Sequence, residues 1–277
     1  MSFSVNTNAG ALVALQNLTN TESQLAKAQN EVSTGLAVSS AADNGAIFAI
    51  AQNQRGSSQA LDSVKQSLQR VQSTVDVATS AGTSVSDLLN QVKSTVLSAT
   101  DTSLDTASRN ALNVDFQSLV KQIQNVVSNA SFNGANLLNN SLTNLQALAS
   151  SDGTQHLTVA AQNLSIGVAG SAITFAATAT ISTATNASIV LGQVNTSVTN
   201  VNNALASLGS ASNSISSELS FVGNLQDTID KGVGNLVDAN LAKESAQLQA
   251  LQTKQSLGIQ ALSIANSSTS SLLSLFR

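Results

Sequence analysis

The sequence predicts a mainly α fold: an elongated antiparallel helical coiled-coil rod with a small β-hairpin region at the tip. Three observations carry this. The chain has 277 residues and no proline. A proline inside a helix costs about 3 kcal/mol, so a chain without any can carry very long helices. Its apolar residues recur at alternating spacings of 3 and 4, the mark of a coiled-coil seam. One Asp-Gly pair, Asp152-Gly153, lies between short runs of alternating apolar residues, which signals a hairpin.

The first helix covers the first 32 residues, through Leu12, Leu15, Leu18, Leu25 and Val32. Ser33-Thr34-Gly35 ends it. Gly35, Gly45 and Gly56 then punctuate a folded connector with a short helical piece at 41–52. The strongest seam follows: Leu61, Val64, Leu68, Val71, Val75, Ala78, then Val85, Leu89, Val92, Val96 and Ala99, interrupted only at Gly82. A helix across 57–100 is on the order of 65 Å long at the α-helical rise. The break at Ala99–Ser103 is rich in N-cap residues. Asp101 and Asp105 place negative charge where the next helix's dipole favours it. That helix carries Leu112, Phe116, Leu119, Ile123, Val126 and Ala130.

Phe132-Asn133-Gly134 is a turn. Leu145, Ala147 and Ala149 alternate before the Asp-Gly pair, and Leu157 and Val159 after it. Residues 170–188 form a Ser/Thr/Ala-rich loop or weak strand. A second long helix runs through Val194, Val198, Val201, Leu205, Leu208, Ser212, Ile215, Leu219, Val222 and Ile229 until Gly232-Val233-Gly234 ends or loosens it. The last helix starts near Leu236. Leu241, Leu248, Leu251, Leu262, Ala265, Leu272 and Phe276 mark its apolar side, and Leu257, Ile259 and Ile264 widen that side beyond one stripe. The chain goes out and comes back, so its two ends lie side by side.

Composition removes most functional classes. Charged residues are 9% of the chain, against about 25% in an average soluble protein. Ser, Thr, Asn and Gln make up about 43%. Without cysteine there is no disulfide, thiol catalysis or cysteine zinc site. The one histidine, His156, has no second histidine to share a metal, so it is a hairpin residue. The carboxylate pairs Asp101/Asp105 and Asp227/Asp230 lack any nucleophile or aromatic pocket and fit helix-end roles. Gly232-Val233-Gly234 lacks the rest of a dinucleotide fingerprint. A net charge of −4 with 11 basic residues argues against nucleic acid as partner. No apolar run approaches the ~20 residues of a membrane span. The N-terminus has neither a positive stretch nor a long apolar one, so a protein that leaves the cell needs another route than a secretory signal.

The two ends carry motifs. Asn6-Thr7-Asn8, Ala11-Leu12, Leu18, Ser33-Thr34-Gly35-Leu36 and Ser39-Ser40-Ala41-Ala42-Asp43-Asn44-Gly45-Ala46-Ile47 stand at one end, and Phe132-Asn133-Gly134 follows the third helix. The other end reads Asp238-Ala239-Asn240-Leu241-Ala242-Lys243-Glu244-Ser245, Gln252-Thr253-Lys254-Gln255, Leu257-Gly258-Ile259-Gln260-Ala261-Leu262-Ser263-Ile264-Ala265-Asn266 and Leu272-Leu273-Ser274-Leu275-Phe276-Arg277. Together they resemble bacterial flagellin, of the short alphaproteobacterial kind. Asn240 departs from the Asp common at that position, and 33–39 lacks the basic residue that often follows the glycine.

The resemblance implies a non-enzymatic subunit of the extracellular flagellar filament, serving swimming motility. It implies an inner-core helix at 1–40, a connector at 41–56, outer-tube halves at 57–130 and 185–235 around the hairpin tip at 131–184, and a second inner-core helix at 236–277. The polymerisation core is then Leu12, Leu15, Leu18, Leu25, Leu241, Leu248, Leu251, Leu262, Ile264, Leu272 and Phe276. Implied partners are copies of this chain or other flagellins, hook-associated and cap proteins, and a flagellar export chaperone. Export runs through the flagellar type III apparatus. No cofactor is implied. O-linked glycans on Ser or Thr of 141–190 suit the family. An innate-receptor patch found in many flagellins is degenerate here at Gln91 and Ser94, which predicts weak receptor activation. The alternatives are a hook–filament junction protein, which usually lacks this C-terminal ending, and a type III translocator, which needs a long apolar hairpin.

Overall fold

The computed structural model describes residues 7–274, with side chains through residue 267. The chain forms α1 (Ala9–Thr34), α2 (Gly45–Ala99), α3 (Thr106–Asn129), β1 (Asn144–Leu148), β2 (His156–Ala160), α4 (Ala184–Val237) and α5 (Leu241–Ser274). The fold is mainly α with one two-stranded antiparallel sheet. Two compact units divide it. One contains the residues up to Gly56 and from Thr228 onward; the other is Ser57–Asp227.

Inside Ser57–Asp227, the α2 seam is the one the spacing predicts. Leu61, Val64, Leu68, Val71, Val75, Ala78, Val85, Leu89, Val92, Val96 and Ala99 are all buried. Gly82 continues the register rather than interrupting it. A Cβ there would come 2.8 Å from Leu205 Cδ2, so the glycine makes room for the facing leucine. Polar bonds fix α4 antiparallel to α2. Lys65 Nζ donates to Gln226 Oε1 at 2.5 Å, Gln72 Nε2 to Ser212 Oγ at 2.8 Å, and Ser86 Oγ to Asn202 Oδ1 at 3.4 Å.

On α3 and α4 the buried register departs from the predicted one by a single residue. The structure buries Val120 and Val127, leaving Leu119 and Val126 half-exposed, and it buries Ser197 and Ala204 in place of Val198 and Leu205. Small residues occupy the α4 seam because other atoms need the space. Ser197 Oγ donates to Gln193 O and accepts the Thr174 N–H at 2.9 Å, which ties the irregular stretch before α4 onto that helix.

The hairpin pairs Leu148 with His156 and Asn144 with Ala160 around Asp152-Gly153. Ala147 and Val159 are buried, and the exposed His156 is an ordinary hairpin residue. Leu148 N–H donates to Ser67 Oγ of α2 at 3.1 Å, which docks the hairpin on the side of that helix. Residues 161–183 form no strand. Their Ile173, Phe175 and Ile181 fill the core beside α3, with the Phe175 and Phe116 rings 6.1 Å apart.

Two predicted helix boundaries are corrected. The helical piece at 41–52 is the first part of α2, which runs through Gly56 without a break. Gly232 and Gly234 do not end α4, which continues to Val237. A helical glycine costs only about 1 kcal/mol relative to alanine, less than the buried apolar contacts on either side supply. At Gly234 a Cβ would lie 2.8 Å from the Asp238 carboxylate, so the glycine admits the following turn.

The α2–α3 turn is held by a buried arginine that the sequence did not single out. Arg109 donates to the carbonyls of Ala99, Asp101 (2.9 Å) and Leu104 (3.3 Å). It satisfies the Ala99 carbonyl that the end of α2 leaves without a helical partner, and two carbonyls of the turn that follows. Asp105 caps α3 by accepting the Ser108 N–H at 2.7 Å, and Asp101 accepts the Ser103 N–H at 2.8 Å. These backbone bonds hold both carboxyls below the usual carboxylate range. Arg109→Met keeps the stem and removes the donors. It is expected to lower stability by about 3 kcal/mol, because buried carbonyls lose their partners. Thermal unfolding of the full chain checks this.

Candidate polymerisation surface

The other unit brings the two ends of the chain together as the pair α1 and α5. The facing residues follow the heptad rule on both sides. On α1 they are Ala14, Leu18, Thr21, Leu25, Ala28 and Val32; on α5 they are Glu244, Leu248, Leu251, Gln255, Gly258, Leu262 and Ala265. Leu25, Ala28 and Leu251 form its buried centre, with Leu248 packed against them. Gly258 lets α1 come close, since a Cβ there would stand 3.3 Å from Leu18 Cδ1. At one end Asn8 caps α1 through the Ala11 N–H and also donates to Ala265 O at 2.7 Å.

This seam is narrow and partly polar. Thr21 is buried and returns its hydroxyl to Asn17 O at 2.8 Å. Glu244 is 8% exposed and Glu31 is nearly as covered, with Lys27 Nζ 3.7 Å from Glu31 Oε1. Burial raises the Glu31 pKa; the hydrogen bond to Glu244 and the charge of Glu244 raise it further, and Lys27 opposes them.

The large apolar residues lie mostly outside the seam. Leu12, Val13, Leu15, Leu241, Leu257, Ile259 and Ile264 are exposed, Ile264 by 69%. The predicted polymerisation core thus divides in two. Leu25, Leu248 and Leu251 join α1 to α5 within the subunit, with Leu18 and Leu262 half-buried along the same seam. Leu12, Leu15, Leu241 and Ile264 face away from it. The Leu272 side chain and Phe276 lie outside the described residues. Beside the seam, Gly10, Ala14, Leu18, Gly258 and Ala261 help line an open groove of about 710 Å³.

The same unit contains the connector. Gly35 ends α1 in a left-handed conformation (φ 73°) and donates to Glu31 O at 2.9 Å. Ala37 and Val38 donate to Val237 O, and Ala239 to Gly35 O, so the outgoing and returning strands of chain pair directly. Val38, Ala51, Val233 and Val237 form a small core there. Asp43 Oδ2 accepts from the backbone and hydroxyl of both Ser39 and Ser40 at 2.9–3.1 Å. These bonds, led by the Ser39 hydroxyl, hold its carboxyl below the usual range. The connector bonds are therefore in place at neutral pH and are lost as pH falls through that lowered value.

Gln91 and Ser94 are both exposed on α2. Among the described residues no group of His, Cys, Asp or Glu could hold a metal ion, and no helix is long and apolar enough to cross a membrane.

The fold and this surface define a helical structural protein whose paired ends leave their larger apolar side chains uncovered. Residues 5–143 match the model of the bacterial flagellin N-terminal helical region, and residues 191–276 that of the C-terminal helical region. Flagellin FljM of Caulobacter vibrioides is 52% identical over 274 residues, spanning 99% of this chain and 98% of that one. Flagellin FljK of the same organism is 53% identical over the same shares of both chains. The flagellin of Brucella melitensis is 40% identical, over 99% of each chain. The chain belongs to the bacterial flagellin family. It is a structural subunit of the flagellar filament and not an enzyme.

Proposed function

We propose that subunits polymerise through the outward side chains of α1 and α5, and that the seam between these helices only prepares that surface. The observation that carries this is the exposure of Leu12, Val13, Leu15, Leu241, Leu257, Ile259 and Ile264 on helices already paired along another line. Large apolar side chains left uncovered on already paired helices mark an interaction site. Covering seven such half-exposed side chains is worth on the order of 10 kcal/mol before the entropy of ordering. The open groove beside Gly258 suits a side chain from a neighbouring copy. Such contacts join unlike faces of successive copies and build an open helical polymer, made of this chain alone or mixed with other flagellins.

The same reading places the subunit outside the cell, exported unfolded through the flagellar type III apparatus with a dedicated chaperone, and meeting hook-associated and cap proteins at the filament ends. The absence of cysteine and proline supports it. No disulfide can close early, and no slow proline isomerisation delays refolding. Deleting residues 262–277 removes Leu262, Ile264 and the chain end while leaving the Leu25–Leu251 contact. The truncated chain is expected to stay soluble and unpolymerised in sedimentation and negative-stain microscopy. Normal filaments from it would overturn the assembly reading.

Two surface properties belong to the same proposal. Exposed Thr178, Thr180 and Thr185 stand in a stretch, 122–217, whose one charged residue is Asp152. They are acceptors for O-linked glycans, and intact mass of native filament protein is expected to exceed the 28.1 kDa of the chain; an unmodified mass removes this assignment. At Gln91 and Ser94 the exposed face of α2 offers neutral side chains where receptor-activating flagellins carry charge. Purified protein is expected to activate innate-receptor reporter cells weakly or not at all, and strong activation at nanomolar dose refutes it.

A further inference from the structure

We propose that the groove beside Gly258 is filled by Leu241 of a second copy of this chain, with Asp238 of that copy paired to Lys254 at the groove's edge. The inference rests on the reading that α1 and α5 form the assembly surface, and it names what enters there. Val13, Ala14, Leu18, Leu257 and Gly258 give the groove an apolar lining, and Lys254 is the one charged side chain among the described lining residues. Lys254 is exposed. An apolar groove with a cation at its edge suits an apolar side chain that arrives with a carboxylate.

Leu241 is the exposed apolar residue of α1 and α5 that meets this description. It opens α5 and is 50% exposed. The exposed Asp238 precedes it by three residues. Leu12, Val13 and Leu15 have no Asp or Glu within four residues, and neither do Leu257, Ile259 and Ile264. The other carboxylate near Leu241, that of Glu244, is buried in the seam. Lys243 stands two residues on, about 200° round the helix from Leu241, so its charge points elsewhere. Asn240 accepts the Lys243 N–H at 3.1 Å and caps the first turn of α5, so the entering segment is already folded and little ordering is left for docking. The groove is larger than one leucine, and that turn enters with it. Leu241 and Gly258 are separated by 258 − 241 = 17 residues of one helix, about 25 Å at the helical rise. No chain can therefore fill its own groove. The contact joins unlike parts of successive copies, as an open polymer requires.

The test uses the full chain, which has no cysteine of its own. Leu241→Cys and Ala261→Cys are made as separate chains, Ala261 being an exposed lining residue of the groove. Filaments are grown from both chains, with parent protein added to keep polymerisation intact, and treated with a short bismaleimide. Cross-linked dimers holding one of each variant are expected, and none where either variant is grown with parent alone. Charge reversal reads the same contact independently. Asp238→Lys or Lys254→Asp alone is expected to raise the critical concentration for polymerisation several-fold, and the two in one chain to restore most of the loss. Absence of the mixed dimer from filaments that do form, or a double reversal no better than either single one, overturns the Leu241 assignment and leaves α1 and α5 as the assembly surface. Normal filaments from a chain lacking 262–277 would instead remove the surface itself.

Discussion

Two helices that meet on a line of residues spaced three and four apart can hide only a narrow strip of each. Every other feature of this chain follows from how its seams handle that limit. In Ser57–Asp227 the strip is filled almost wholly by Val, Leu, Ile and Ala, and further cover comes from α3, the hairpin and the loop containing Phe175. Between α1 and α5 the strip includes Thr21, Glu244, Gln255 and Gly258. The first unit buries its seam within one subunit, while Leu97, Val114, Ile189 and Phe221 stay exposed on its outside. The second leaves Leu12, Leu15, Leu241, Leu257, Ile259 and Ile264 facing outward.

That contrast explains why the seams differ in composition. A self-sufficient core gains from every methyl group it can bury. A pair whose stability is completed by neighbours needs close approach and correct register more than bulk, and Gly258 against Leu18 supplies both. Asn8 bonded to Ala265 O then fixes register at one end of the seam.

Much of this was legible in the residues. The α2 seam is right at every position named, although Val77, Leu88 and Leu97 stand beside Ala78, Leu89 and Val96, because the run of 3 and 4 spacings extends far enough on both sides to set the register. The hairpin is right because Asp152-Gly153 separates two short alternating runs. Where adjacent residues both satisfied the spacing, as with Leu119 and Val120 or Val198 and Ser197, periodicity alone could not choose. The structure chose by space, and a buried serine bonded to Thr174 is invisible to an apolar count. The glycines misled in the other direction. Gly56, Gly82 and Gly234 sit inside helices, two of them where a facing side chain needs room. The residues expected to form the polymerisation core read as one set in the sequence, and burial divides them into two. Only the pairing geometry separates Leu25 and Leu251, which hold the subunit together, from Leu12 and Ile264, which do not.

The helical serines and threonines carry a further consequence. Thr79, Thr83, Ser84, Thr95, Thr196 and Ser214 each return their hydroxyl to the carbonyl four residues back. Their polar groups are spent within their own helices, and the ion pair Lys27–Glu31 also joins two residues of a single helix. A surface of this kind presents methyl and methylene groups with few fixed charges, so dissolved ions have little to screen. Fresh water and brine are nearly the same solvent to such a body, which suits a structure that works outside the cell, where the cell does not set the ionic strength.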